Sequence, residues 1–161
     1  MAIASFQHLC AGFCEVVRVP APSLWADADG RVAFHVIVRG ATVNLVHLPS
    51  RYPEHVFVVF DLGRITDDGP ASAARSSAML EANFALLELY QPTFSRNPAS
   101  GDVVLQYIYP LFDATPAGLY ELIHQGVDII SRVRGFATAP FGSEPPQVAT
   151  CPPVGALHQL A

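Results

Sequence analysis

"RVAFHVIVRGATVNLVHL" (Arg31–Leu48) is the stretch whose reading decides the fold. Two apolar, β-branched runs flank Arg39-Gly40, and a two-residue connection of this kind is the commonest hairpin loop. The short loop fixes a register that can be tested on the side chains. It places Val38 opposite Ala41, Val36 opposite Val43, Phe34 opposite Leu45 and Val32 opposite His47. That face is apolar almost throughout. The other face pairs Ile37 with Thr42, His35 with Asn44 and Ala33 with Val46, and is mixed. A slip of one residue would exchange the two faces and scramble the separation, so the register is specified by burial of one side.

Outward from the hairpin, "HVFVVFDL" (His55–Leu62) reads as a third strand. Val56, Val58 and Phe60 lie on one face and Phe57 and Val59 on the other, so both are apolar. A strand of a one-sided sheet keeps one face polar. Two readings of Phe57 and Val59 stay open: another element covers them, or they form a docking surface. Upstream, Ile3, Phe6, Leu9, Cys10, Phe13, Val16 and Val17 recur at helical spacing, which predicts a helix over Ile3–Val17. Pro20 and Pro22 end it. "DADG" (Asp27–Gly30) has neither the spacing nor the closing glutamate of a calcium loop, and reads as a plain turn.

Downstream, the polar connection "TDDGPASAARSS" leads into a helix starting near Pro70. The helix is predicted to run to about Tyr90 through "AMLEANFALLELY" (Ala78–Tyr90), in which ten of thirteen residues are apolar. On a helical wheel Glu81 and Glu88 fall within about 20° of each other, while Met79, Leu80, Ala82, Phe84, Leu86, Leu87, Leu89 and Tyr90 spread over roughly 220°. One sheet needs an apolar stripe of only about 100°. The surplus predicts a second covering surface. Asn83 is the polar residue inside the apolar arc; it either bonds a loop carbonyl in its own subunit or fixes the register of a helix–helix contact between subunits.

Thr93–Arg96 is a short extended piece, "NPASG" turns the chain, and Asp102–Leu111 alternates as a strand. Thr115-Pro116 starts a last helix with the threonine as cap. Leu119, Leu122, Ile123, Gly126, Ile130 and Val133 form its apolar face, with Gly126 permitting a close approach and Gly135 ending it. The final 26 residues hold five prolines and little pattern. The expected organisation is one domain over residues 1–135 and a Pro-rich flexible tail over 136–161. The order α-β-β-β-α-β-β-α predicts an α+β fold, an antiparallel twisted sheet with helices packed on it.

Composition bounds the function. The chain has 161 residues, 51% hydrophobic and 14% charged, with a mean hydropathy of +0.32. The charged share is well below the usual ~25%, so the core is large or some apolar surface meets a partner. Net charge is −5, from nine Arg, no Lys and 14 acidic residues. An acidic chain without a basic run argues against nucleic acid and against an anionic membrane surface as partners. No apolar run is long enough to span a bilayer, and the N-terminus has no secretory-leader pattern. Cys10 and Cys14 share a helical face and read as buried structural cysteines; Cys151 lies in the tail. Phosphate-loop, dinucleotide, zinc-protease and nucleophile-elbow motifs do not occur. No set of polar residues converges as catalysis requires, so neither an enzyme, a cofactor nor a metal is expected.

"MLEANFALLELY", the following "SGDVVLQYIYPL" and the closing "GLYELIHQGVDIISRV", in this order of elements, resemble the CesT/Tir-chaperone family of bacterial type III secretion. The resemblance covers about residues 1–135. It implies an ATP-independent homodimer in the bacterial cytoplasm, built largely on the second helix, that holds an unfolded N-terminal segment of a secreted effector. The alternative is a regulatory or adaptor module of the same fold that binds a folded protein. Expected dimer-interface residues are Met79, Leu80, Asn83, Phe84 and Leu87. Expected partner-binding residues are Phe6 and Phe13 on the first helix and Ile37, Val46, Phe57 and Val59 on the second face of the sheet.

Overall fold

The structure, a computed structural model, describes residues 2–64, 70–87 and 89–135. The expectation of a flexible tail over 136–161 lies outside the described residues. The elements are α1 (Ala2–Val17), β1 (Val32–Val38), β2 (Ala41–His47), β3 (His55–Arg64), α2 (Pro70–Ala85), β4 (Thr93–Arg96), β5 (Asp102–Pro110) and α3 (Pro116–Gly135). The strands form one antiparallel sheet in the order β1-β2-β3-β5-β4. The predicted α+β order holds.

The hairpin has the register read from the sequence, from Val38 opposite Ala41 to Val32 opposite His47. Arg39 and Gly40 both have positive φ, 51° and 77°, as the hairpin turn matched to strand twist requires. β3 continues the pattern, with Val43 opposite Phe60 and Leu45 opposite Val58. One face of the sheet thus gathers Phe34, Val43, Leu45, Val58, Phe60, Leu105 and Tyr107, each at most 3% exposed. All three helices pack their apolar residues into this same cluster: Phe6, Leu9 and Phe13 from α1, Met79 from α2, Leu119, Ile123 and Ile130 from α3. The domain is two layers, helices on one face of a sheet.

Cys10 and Cys14 are buried and free, and burial pushes both thiols up. Neither is a thiolate nucleophile at neutral pH. The "DADG" segment is a turn closed on itself. Asp27 Oδ1 accepts from the Asp29 and Arg31 amides at 3.0 and 2.8 Å, and Oδ2 accepts from Arg31 Nε at 2.8 Å. The carboxylate is committed to its own loop.

α2 stops at Ala85, about a turn earlier than predicted. The reason is Asn83. Its Oδ1 accepts from the Phe94 amide at 2.7 Å and its Nδ2 donates to the Phe94 carbonyl at 3.1 Å. The side chain behaves like a piece of strand, tying α2 to β4. Gln91 Nε2 donates to the Asn83 carbonyl at 3.2 Å and so satisfies a helix-terminal acceptor. Of the two readings of Asn83, the intrasubunit one is observed. Phe94 is 6% exposed, so Asn83→Ala strands a buried amide and carbonyl. Each orphaned group costs about 1–3 kcal/mol. Urea unfolding is expected to show a loss of about 2–4 kcal/mol, and Asn83→Asp, which keeps the acceptor and loses the donor, a smaller one.

His47 is fully buried at the end of β2, on the helix side of the sheet. Its ring lies 5.2 Å from that of Phe6, and Nε2 is 3.1 Å from the Pro53 carbonyl. That bond fixes the tautomer with the proton on Nε2, and Nδ1 meets no donor among the described residues. Burial lowers the pKa below the ordinary 6.5, against an opposing effect of the Pro53 carbonyl. The native state therefore binds fewer protons than the unfolded chain below about pH 6.5. Stability from this residue is complete above that pH and is lost as pH falls towards the native pKa. Its slope is at most about 1.4 kcal/mol per pH unit. Urea midpoints between pH 7.5 and 5 are expected to show this component in the parent chain and not in His47→Gln.

Candidate functional site

Two surfaces stand out on the folded chain. The first is a groove of about 340 Å³ between the end of α1, the strand β1 and the start of α3. Val16, Val17 and Val19 form one wall, Val36 and Val38 the floor, and Tyr120, Ile123 and His124 the other wall. β1 is an edge strand: β2 pairs it on one side. On its other side, among the described residues, Ala26 bridges it at Val32. From Phe34 to Val38 the second side is open to another strand. Apolar cavity and open backbone edge are thus adjacent, and an extended segment can use both at once.

The second surface lies around the end of α2. Leu80 is 69% exposed, Phe84 88%, Leu87 84% and Leu89 89%. With Met79 and Asn83 turned to the core and β4, Leu80 and Phe84 lie on the outward side of the helix.

These placements sort the expected residues. Leu80, Phe84 and Leu87 are free for a subunit contact. Met79 is 8% exposed and packs in the core, and Asn83 is bound to Phe94, so neither is offered to a second subunit. Phe6 and Phe13 are at most 1% exposed. They face the sheet, Phe13 against Phe34, because the apolar stripe of α1 is its core stripe. On the outer face of the sheet, cross-strand rows run Ala33–Val46–Phe57–Ile108 and His35–Asn44–Val59–Gln106. Val46 and Val59 are 7% and 6% exposed, so this face leaves them little to offer a partner. Ile37 and Phe57 are half-buried, with the Tyr52 ring edge-on to Phe57 at 5.4 Å. The outer face therefore presents Ile37, Phe57 and Ile108 rather than Val46 and Val59.

Of the residues lining the groove, Phe13 alone is among the expected partner-binding residues, and it is 1% exposed. Val16 and Val17 belong to the apolar spacing of the first helix, and nothing local marks β1 as an edge. Ile108, 51% exposed, and Phe112, 77% exposed, were also missed. Among the described residues no three His, Cys, Asp or Glu side chains gather as a metal site would need, and no helix is long and apolar enough to cross a membrane.

The described residues thus form a helix-backed sheet with an apolar groove at its open edge. The Tir chaperone protein (CesT) family matches residues 13–134, and the chain belongs to it. Comparison with curated proteins gives no significant match. Among the solved structures that share the fold are three complexes. The ExoT–SpcS complex from Pseudomonas aeruginosa aligns at a TM-score of 0.55 and 18% identity, covering 80% of this chain and 96% of that one. The HopA1–SchA chaperone–effector complex gives 0.55 and 15%, covering 84% and 94%. The ExsC–ExsE complex gives 0.59 and 17%, covering 80% and 90%.

Proposed function

We propose that this protein is a type III secretion chaperone that acts as a homodimer, holds an unfolded N-terminal segment of a secreted effector and uses no ATP. The observation that carries the reading is the groove of about 340 Å³ beside the open edge of β1. An extended chain can add to that edge through its backbone and place alternate side chains among Val16, Val17, Val38 and Tyr120, the groove residues that keep exposed surface, the β-augmentation mode of peptide recognition. Family membership and the chaperone–effector complex among the structural neighbours support it. The exposed Leu80, Phe84, Leu87 and Leu89 support a second subunit on α2, since patches of this kind on soluble chains mark contact sites.

The test is co-expression with the isolated N-terminal segment of the protein encoded beside this chain. Hydrogen exchange is expected to show protection in that segment and in β1, unchanged by added ATP. Protection that needs the folded full-length partner, and is absent with the isolated segment, would replace the chaperone reading with the adaptor one.

A further inference from the structure

The groove beside β1 has a charge opposite to that of the chain. The sequence sums to −5, yet the ionisable side chains lining the cavity, tyrosine apart, are Arg18, Arg39 and His124, with no carboxylate. Glu15, Glu121 and Asp128 lie on the neighbouring helices and do not line it. Arg18 and Arg39 are also the two non-glycine residues with positive φ among the described residues, 59° and 51°. Arg18 follows α1 at the position where glycine most often ends a helix, with the Val19 amide closing onto the Cys14 carbonyl at 2.9 Å. Arg39 opens a turn that favours Asn-Gly. At each place a side chain costs about 1 kcal/mol relative to glycine, so backbone preference does not account for arginine. Arg39 donates from Nη1 to Asp128 at 2.7 Å, which holds it beside α3 and, among the described residues, leaves most of its five N–H donors unspent. Arg18 is exposed and has no carboxylate within ion-pair distance among the described residues.

We infer that the groove selects an extended segment carrying an aspartate or glutamate next to its apolar side chains. The backbone of the segment pairs with β1 along Phe34–Val38, its alternate apolar side chains fill the cavity, and the carboxylate meets Arg18 and Arg39. This rests on the client-holding reading of the groove and adds the chemistry of the client. Side chains on one face of an added strand recur every second residue and share the face of Val36 and Val38. A residue just past the apolar ones comes to the arginine-bearing ends of α1 and β1. Planar guanidinium groups match a carboxylate through paired hydrogen bonds.

The experiment uses the full chain and three labelled peptides of alternating valine and threonine that end in aspartate, asparagine or arginine. Binding is read by anisotropy and by emission of Trp25, the chain's one tryptophan, which is 80% exposed and adjacent to the Ala26–Val32 bridge. The aspartate peptide is expected to bind about tenfold tighter than the asparagine peptide, and the arginine peptide weakest, with the spread shrinking as salt rises. The double variant Arg18→Gln/Arg39→Gln is expected to bind all three alike. Equal binding of the three peptides by the parent chain overturns the inference and leaves the peptide-holding reading standing. No binding of any peptide overturns both.

Discussion

Phe84→Asp is expected to turn a dimer into a monomer that keeps its fold. Phe84 is 88% exposed in the single chain, so the monomer gives up little by losing it. In a twofold seam the same residue is used twice, and one substitution places two carboxylates in the contact. A buried aromatic at the centre of an interface accounts for about 2–4 kcal/mol when truncated. Two such losses, about 4–8 kcal/mol together, weaken association by about 10³–10⁶-fold. Sedimentation across a concentration series would read the shift, with an unchanged urea midpoint at low concentration as the control for folding. Leu87→Asp is expected to act in the same direction, giving monomers or aggregates. A Phe84→Asp protein that still sediments as a dimer removes this side of α2 from the seam, and a parent chain that stays monomeric removes the seam altogether.

The second large effect is internal. A Cβ built on Gly126 would fall 2.7 and 2.8 Å from Cε2 and Cε1 of Phe60 and closer still to Cζ. Phe60 is fully buried in the middle of β3, its ring 5.9 Å from that of Tyr107, so it has no free space into which to turn. Any side chain at 126 must push α3 off the sheet. Glycine in a helix interior is worse than alanine by about 1 kcal/mol, and here that loss is offset by the approach it permits. Gly126→Ala gains the propensity term and loses the packing, for a net destabilisation of about 1–2 kcal/mol. Gly126→Leu cannot be accommodated and is expected to cost about 3 kcal/mol or more, or to prevent folding. The pair Gly126→Ala/Phe60→Leu tests the mechanism. If the ring is the obstacle, the double variant is more stable than the sum of the single losses predicts. Strict additivity would place the cost of Gly126→Ala elsewhere.

Both predictions concern residues the sequence picked out, Phe84 as partner surface and Gly126 as a close-approach site, but in neither case did it supply the geometry. The wheel over Ala78–Tyr90 treated one continuous helix. The folded chain ends that helix at Ala85, since Asn83 is used on Phe94 and the chain must return to begin β4. Leu87 and Leu89 are exposed, as the surplus of apolar residues implied, yet they lie beyond the helix on which they were placed. Likewise Phe6 and Phe13 have the spacing of a helical face, and spacing alone does not say whether that face meets a core or a client.

What the sequence by itself determined is local. The Arg39-Gly40 turn and the alternation around it set the hairpin register. The threonine before Pro116 set the start of α3, with the Gly118 amide donating to its hydroxyl at 3.0 Å. One polar residue in an apolar arc marked Asn83 as needing a partner. These follow from steric and hydrogen-bonding rules that act over a few residues. The tertiary structure alone decided that β5 enters between β3 and β4, which leaves β1 at the edge. It also decided that the ends of α1 and α3 stand apart over Val36 and Val38. Strand order depends on which distant segments pair, and a groove is the space they leave between them. Neither quantity is written in the neighbourhood of any residue that lines it.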